Sequence, residues 1–285
     1  MELVDLHVHT SFSDGTLSPS QVVSLAASKQ LKAIAVTDHD TVDGIDEALR
    51  FAEHVDLEVI AGTELSCMYK NKEIHMLGFF LDCGTPGLLE ALSHQRESRD
   101  RRNMEMMRRL AEDGIVFTTE DLTGGNTDTV VTRAHFARVL VEKGYVKTTD
   151  QAFRKYLDHS KKYCPPKEGF APEEAIRLIL SAGGFPAIAH PMLYKMNYKE
   201  IGQMIVEFKS YGLQGVEVYY SAHCQYESAQ LREICLKTSL LPTGGSDFHG
   251  SNKPDIDIGS GRGGLRVPYL LLQDIKKYRE ERQSL

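Results

Sequence analysis

The sequence predicts an α/β barrel interrupted by a helical insertion, and three observations carry that prediction. Strand-like and helix-like segments alternate near both ends of the chain, the pattern of βαβ units around a mostly parallel sheet. The length of 285 residues suits one barrel with an insertion better than a two-layer domain. Histidines and carboxylates fall at or just past the ends of the predicted strands, the face on which such barrels build their sites.

Each element has its own signal. Leu3–Val8 is a short strand that carries His7, with His9 directly past its end. Ser18-Pro19 starts a helix to about Lys29, with Ser18 as N-cap and Pro19 at the first helical position. Ala33–Val36 is a buried strand ending in Thr37-Asp38-His39-Asp40, and a helix starting at Thr41 or Asp43 runs to about His54. Leu57–Ala61 is a third strand, ending in Gly62-Thr63-Glu64. Leu65–Tyr69 and Ile74–Leu81 then flank Lys70-Asn71-Lys72 as a hairpin.

Residues 86–172 break this rhythm. Leu88–Asp113 is a long Arg-rich helix ending at Gly114. Thr132 is the N-cap of a second helix, whose stripe is Phe136, Val139 and Leu140, and Asp150–Leu157 is a third. The expected division is therefore barrel over 1–85, helical cap over 86–171, and barrel again over 172–285. In the last part, helices at Pro172–Ala182, Lys199–Tyr211 and Tyr226–Lys237 alternate with strands at Phe185–Ala189, Gly215–Tyr219 and Leu241–Thr243. Gly259–Gly264 is a loop, and a terminal helix begins at Leu270.

Composition narrows the function. A net charge of −7 without a Lys/Arg tract argues against wrapping duplex nucleic acid, while leaving room for a small anionic substrate. No apolar run reaches the roughly 20 residues of a membrane span. The start of the chain lacks the basic and apolar regions of a signal peptide. Cys67, Cys83, Cys164, Cys224 and Cys235 are scattered without a CxxC and read as free thiols of a cytoplasmic protein.

The chemistry-bearing residues form pairs and sets. His7 and His9 are two apart on a strand, so both side chains point the same way; Asp247 and His249 repeat the spacing near the other end. Glu64 offers two oxygens, enough to bridge two metals. Asp14 and His39 extend the set on one side, His75 and His135 on the other. Mixed imidazole and carboxylate ligation suits Zn, Mn or Fe better than Mg or Ca. A lone histidine is more often a satisfied surface or core residue, and His54, His94, His159 and His223 are read that way.

Four blocks carry a resemblance: Asp5–Gly15 (DLHVHTSFSDG), Val36–Asp40 (VTDHD), Ala187–Pro191 (AIAHP) and Gly244–Gly250 (GGSDFHG). In this order they resemble the polymerase and histidinol phosphatase (PHP) family of metal-dependent phosphoesterases, within the amidohydrolase-like group. The resemblance covers residues 1–85 and 172–267, with the insertion similar in outline. It implies a distorted (β/α)7 barrel holding two or three divalent metals. Carried over residue by residue, His7, His9, Glu64 and Asp247 match a first metal site; Glu64, His75 and His135 a second; Asp14, His39 and His249 a third. His190 would lie at the substrate phosphate as hydrogen-bond donor or general acid.

Further residues suit phosphate. Arg133 lies in the first turn of the helix that carries His135, and both a guanidinium and a helix N-terminus favour that anion. Lys161 and Lys162 are candidates for a second phosphate; Arg96, Arg99, Arg101 and Arg102 read most simply as an exposed helix face. Glu217 reads as a support for the ligands. The expected activity is attack of a metal-bound hydroxide on the phosphorus of a small ester, with Arg133 and His190 holding oxygens and Asp247 or His190 handling the leaving-group proton. A nucleoside 3′,5′-bisphosphate is the favoured substrate, a small cyclic phosphodiester the alternative, with histidinol phosphate and RNA 5′ ends behind them.

Overall fold

The structure is a computed structural model, and it describes residues 2–158 and 160–283, so His159 lies outside the described residues. In chain order the barrel begins with β1 (Val4–Val8), α1 (Pro19–Ser28), β2 (Ala33–Val36), α2 (Ile45–Ala52), β3 (Glu58–Tyr69) and β4 (Lys72–Phe79). The insertion contributes α3 (Pro86–Ala111), α4 (Thr119–Thr123), α5 (Arg133–Glu142) and α6 (Thr149–Ala152), followed by a wide helical turn at Phe153–Leu157. The barrel resumes with α7 (Pro172–Ser181), β5 (Phe185–Ile188), α8 (Tyr198–Tyr211), β6 (Gly215–Tyr220), α9 (Gln225–Thr238), β7 (Leu241–Gly245) and α10 (Tyr269–Gln283).

The strands lie side by side in the order β1 to β7. Pairing is parallel except at β4, which runs against both β3 and β5. The sheet closes on itself where Asp247 N donates to His7 O at 2.9 Å and His9 N to Phe248 O at 2.9 Å. Gly245 permits that approach: a Cβ there would lie 2.4 Å from His7 N. Asp5 locks the seam, accepting from Ser246 N and Gly259 N, both at 2.7 Å, and from the Ser246 hydroxyl.

Most of the predicted boundaries fall within two residues of the observed ones. Ser18 caps α1 with Pro19 in its first turn, and Thr132 caps α5. One reading is corrected. The third strand and the first arm of the hairpin are a single strand, β3, so Gly62-Thr63-Glu64 is mid-strand and not a strand end. Gly62 marks close pairing: a Cβ would meet Gly78 O at 2.7 Å and Val36 O at 2.9 Å. α2 begins at Ile45, later than Thr41 or Asp43, with Gly44 before it.

Apolar burial falls into three clusters. Val22, Val23, Ile34 and Val36 belong to the layer between sheet and helices. Val4, Leu6, Ala33, Ala35, Phe185 and Ala187 pack with Leu272 and Ile275 of α10, so that helix covers the strand starts. Met106, Leu110, Phe117, Phe136 and Leu140 form a separate core in the insertion. Leu88 and Leu92 belong to the barrel layer, so α3 changes partners along its length.

Candidate metal centre

Glu64 is the hub. Its side chain leaves mid-β3 at the rim of the barrel and is 1% exposed. One oxygen, Oε2, lies 3.3 Å from His7 Nε2, 3.3 Å from His9 Nε2 and 3.1 Å from His39 Nδ1. The other, Oε1, lies 3.0 Å from His75 Nδ1 and 2.9 Å from His190 Nε2. Asp247 Oδ1 sits 3.3 Å from His9 Nε2 and 3.6 Å from His7 Nε2. On the far side, Asp14 Oδ1 lies 3.0 Å from His249 Nε2 and 3.8 Å from His9 Nδ1, while Asp14 Oδ2 is 3.8 Å from His39 Nε2.

Three groupings emerge with donor atoms close enough to share an ion: His7, His9 and Asp247; His39, Glu64 and His75; and His9, Asp14, His39 and His249. His7, Glu64 and His190 make a fourth. Their fit to a metal rests on unpaired atoms. His7 Nε2, His9 Nε2, His39 Nδ1 and Asp14 Oδ1 are buried, face the cluster and have no hydrogen-bond partner among the described residues. Leaving such atoms unsatisfied costs about 1–3 kcal/mol each, a burden that bound cations would lift.

Neighbours hold the rings from behind. His7 Nδ1 lies 2.9 Å from Glu217 Oε1, and Glu217 Oε2 accepts from His190 N at 2.6 Å. His249 Nδ1 is 2.8 Å from Asp247 O. Such contacts fix ring orientation and tautomer. Asp40, His190 and Asp247, at or beside the cluster, have positive φ of 51°, 27° and 59°.

The electrostatics are polarised by burial and by mutual charge. Burial alone would raise Glu64; His39, His7, His75 and the His190 hydrogen bond overcome it and hold the carboxyl well below its usual range. Asp247 is likewise held well below, with burial opposed by Lys253, His249 and His7. Burial drives His39 down to about 3. For His9 the burial effect is outweighed by Asp247 and Glu64, which push the imidazole up to about 9. His75 also reaches about 9, burial there being outweighed by Glu64 and Glu73.

Not every expected residue joins the cluster. His135 belongs to none of the groupings; its Nδ1 accepts from Thr132 N at 3.0 Å and closes the start of α5. The position beside Glu64 and His75 is filled by His190, 3.3 Å from His75 Nδ1. Thr132 nevertheless ties α5 to the cluster, donating to Asp14 Oδ2 at 2.8 Å.

A cavity of about 320 Å³ opens between the cluster and the insertion, lined in part by Asp14, His39, His75, His249, Arg99, Arg102, Arg133, Lys167 and Lys253. Arg133 is there as expected, with Nη2 2.8 Å from Glu73 Oε2. Lys161 and Lys162 are not among the lining residues, a correction; for Lys162 the cause is its pairing with Asp113, just beyond α3 and itself not a lining residue. Arg99 and Arg102 are a second correction. Arg99 is 8% exposed and pairs with Asp40, and Arg102 donates to Pro165 O at 3.2 Å, so this part of α3 faces inward. Arg96 reaches Thr127 O, and Arg101 stays exposed beside Glu97. Sequence reasoning missed Glu73, Lys167, Tyr220 and Lys253. The last two lie 2.8 and 2.6 Å from Asp247 Oδ2. Glu73 had a signal, since it is two residues before His75 on a strand and shares its face.

The other histidines behave as structural residues. His54 and His94 are exposed, and the His223 ring donates to Val218 O at 3.1 Å. The cysteines are free. No described helix is long and apolar enough to cross a membrane.

Over most of its length the chain is similar to known proteins. The PHP domain family model matches residues 5–171. A 5′-3′ exoribonuclease of Haemophilus influenzae is 36% identical over 245 residues, covering 86% of this chain and 89% of the relative. A 3′,5′-nucleoside bisphosphate phosphatase of Chromobacterium violaceum is 32% identical over 260 residues, covering 91% of each. A solved structure described as a metal-dependent phosphoesterase of Bifidobacterium adolescentis superposes with a TM-score of 0.86 at 30% identity, covering 96% of this chain and 95% of the other.

Proposed function

Because the chain belongs to the PHP domain family and is a metal-dependent phosphoesterase, we propose that it hydrolyses a small nucleotide-derived ester of the nucleoside 3′,5′-bisphosphate type. One observation carries the reading. Buried imidazole and carboxylate groups, four of whose atoms have no hydrogen-bond partner among the described residues, gather around Glu64, directly beside a cavity lined by arginines and lysines.

We assign the ligands by that geometry. His7, His9, Glu64 and Asp247 hold one ion; Glu64, His75 and His190 a second; Asp14, His39 and His249 a third. Placing His190 at the second position, where His135 was expected, follows from its 2.9 Å approach to Glu64. Manganese or zinc suits this donor set, with iron admissible. Bound divalent ions supply Lewis-acid charge and lower the pKa of water.

The chain supplies the rest. Arg133 and Lys167 bind phosphoryl oxygens, and Lys253, beside Asp247, neutralises charge on the leaving side. Residues 86–171 act as the cap that closes the cavity; Arg99 and Arg102 reach it from α3, Arg133 from α5. A second reading, cleavage at short RNA 5′ ends, is favoured by the name of the Haemophilus relative.

The test is phosphate release with Mn²⁺ from a panel of a nucleoside 3′,5′-bisphosphate, a nucleoside monophosphate, a five-membered cyclic phosphate, histidinol phosphate and a 5′-phosphorylated RNA pentamer. The bisphosphate is expected to be the best substrate. Preference for the RNA or the cyclic phosphate would replace the substrate assignment, and a blank panel from metal-replete protein would overturn it.

A further inference from the structure

Glu73 stands where a substrate phosphate would be expected to bind. It projects from β4, and Arg133, Lys167 and His75 surround its carboxylate. Oε2 lies 2.8 Å from Arg133 Nη2, Oε1 pairs with Lys167 Nζ, and Oε1 is 3.3 Å from His75 Nε2. Lys167 is only 8% exposed. Two cavities, of about 320 and 740 Å³, both have Glu73, His75, Arg133 and Lys167 in their walls. A phosphate entering by either route meets the same two cations. Arg102 lines the smaller cavity, and its buried Nη2 has no hydrogen-bond partner among the described residues. The cradle therefore holds more positive charge than Glu73 neutralises, yet its two strongest donors are already engaged.

We propose that Glu73 is a built-in competitor of the substrate phosphate for Arg133 and Lys167, and that it sets how tightly the site holds phosphate. The inference rests on the reading of this cavity as the phosphate-ester site. Its physical basis is simple. A partly buried carboxylate and a phosphate dianion cannot share two donors without mutual repulsion, and the surrounding protein screens that repulsion less than water does. The carboxylate holds Lys167 in place while no substrate is bound and opposes the burial that pulls the pKa of this lysine down. It also weakens the hold on the product anion, which must leave before the next turnover.

The experiment is calorimetric titration of inorganic phosphate into the Mn²⁺-loaded protein, with the phosphate inhibition constant and the kcat and KM of the best panel substrate measured alongside. Metal content is checked for each variant, because Glu73 also touches His75. Glu73→Gln keeps the shape and removes the charge. It is expected to tighten phosphate about tenfold, the scale of one charge-assisted hydrogen bond, and to lower KM while slowing kcat. Glu73→Asp is expected to bind phosphate within about threefold of wild type, being a retained charge on a shorter arm. A purely structural role predicts the opposite for Glu73→Gln, namely weaker phosphate and a higher KM, and that result or no change would overturn the proposal. Should Glu73→Gln fail to fold, the same change is made in a Lys167→Gln background, where it must still tighten phosphate relative to that background. The phosphate titration reads the cradle whichever ester proves to be the substrate, so a blank substrate panel with Glu73→Gln tightening phosphate separates the two claims.

Discussion

The two walls of the cavity are built by different means. The barrel wall gathers imidazoles and carboxylates from β1, β3, β4 and the ends of β2, β5 and β7 around Glu64. Its positions are fixed by sheet register, and His7 Nε2, His9 Nε2, His39 Nδ1 and Asp14 Oδ1 have no hydrogen-bond partner among the described residues. The cap wall brings Arg99, Arg102, Arg133 and Lys167 from helices and a loop, and most of these cations already have carboxylate or carbonyl partners. The difference separates the proposed metal binding, which a rigid barrel rim can pre-form, from the proposed anion binding, whose cations come from the insertion.

The largest effects should come from the barrel wall. Glu64→Ala, His9→Ala or Asp247→Ala is expected to lower phosphate release on the order of a thousandfold or more, with the far-ultraviolet circular dichroism of the folded barrel retained. Near-wild-type rates in any of the three would break the comparison on its metal side. On the cap wall, Arg133→Ala should cost roughly ten- to a hundredfold in kcat/KM, the range of a lost charge-assisted contact. Lys162→Ala should leave kcat/KM unchanged, because Asp113 holds that lysine away from the cavity. Equal losses at Arg133 and Lys162 would show that the cap works through its overall charge and not through a defined wall.

The pH response sharpens the contrast further. His9 and His75 rise from 6.5 to about 9 in the metal-free protein. A raised folded pKa contributes stability that is full below the unfolded value near 6.5 and is lost as pH climbs through about 9. Metal binding needs the neutral rings and must displace those protons. The rise in melting temperature on adding Mn²⁺ is therefore expected to grow from pH 6.5 to pH 9, as read by thermal denaturation with and without a chelator. A shift that shrinks over that range would contradict the assignment of these rings as ligands. Thr132→Ala is expected to cost only about 1 kcal/mol of stability, from the lost cap of α5. Its link to Asp14 makes a modest loss of metal affinity the accompanying readout, measured by competition with a chromophoric chelator.

What was legible in the sequence follows the same line. His7 and His9 could be placed together because strand alternation is a strict period of two, and Asp247 and His249 because they follow the last strand. His75 joined the set on residue type, and the resemblance gave it a site shared with Glu64; strand position could not, since it lies within an antiparallel strand and not at the end of a parallel one. His190 was seen but given to the phosphate; its positive φ aims it at Glu64 in a way no local pattern encodes. Arg99 and Arg102 were taken for an exposed face because α3 is uniformly polar over that stretch, and which side is buried depends on where the insertion packs. Lys167 lies in a stretch without regular structure, where sequence carries no direction for a side chain.

The most direct test of the central claim is the metal content of the purified protein, wild type against Glu64→Ala, measured by inductively coupled plasma mass spectrometry after incubation with Mn²⁺ and desalting. The account predicts two to three equivalents in the wild type, and the loss of at least one in the folded variant, because Glu64 faces two of the proposed ions. Fewer than one equivalent in the wild type, or the same content in both proteins, would contradict it.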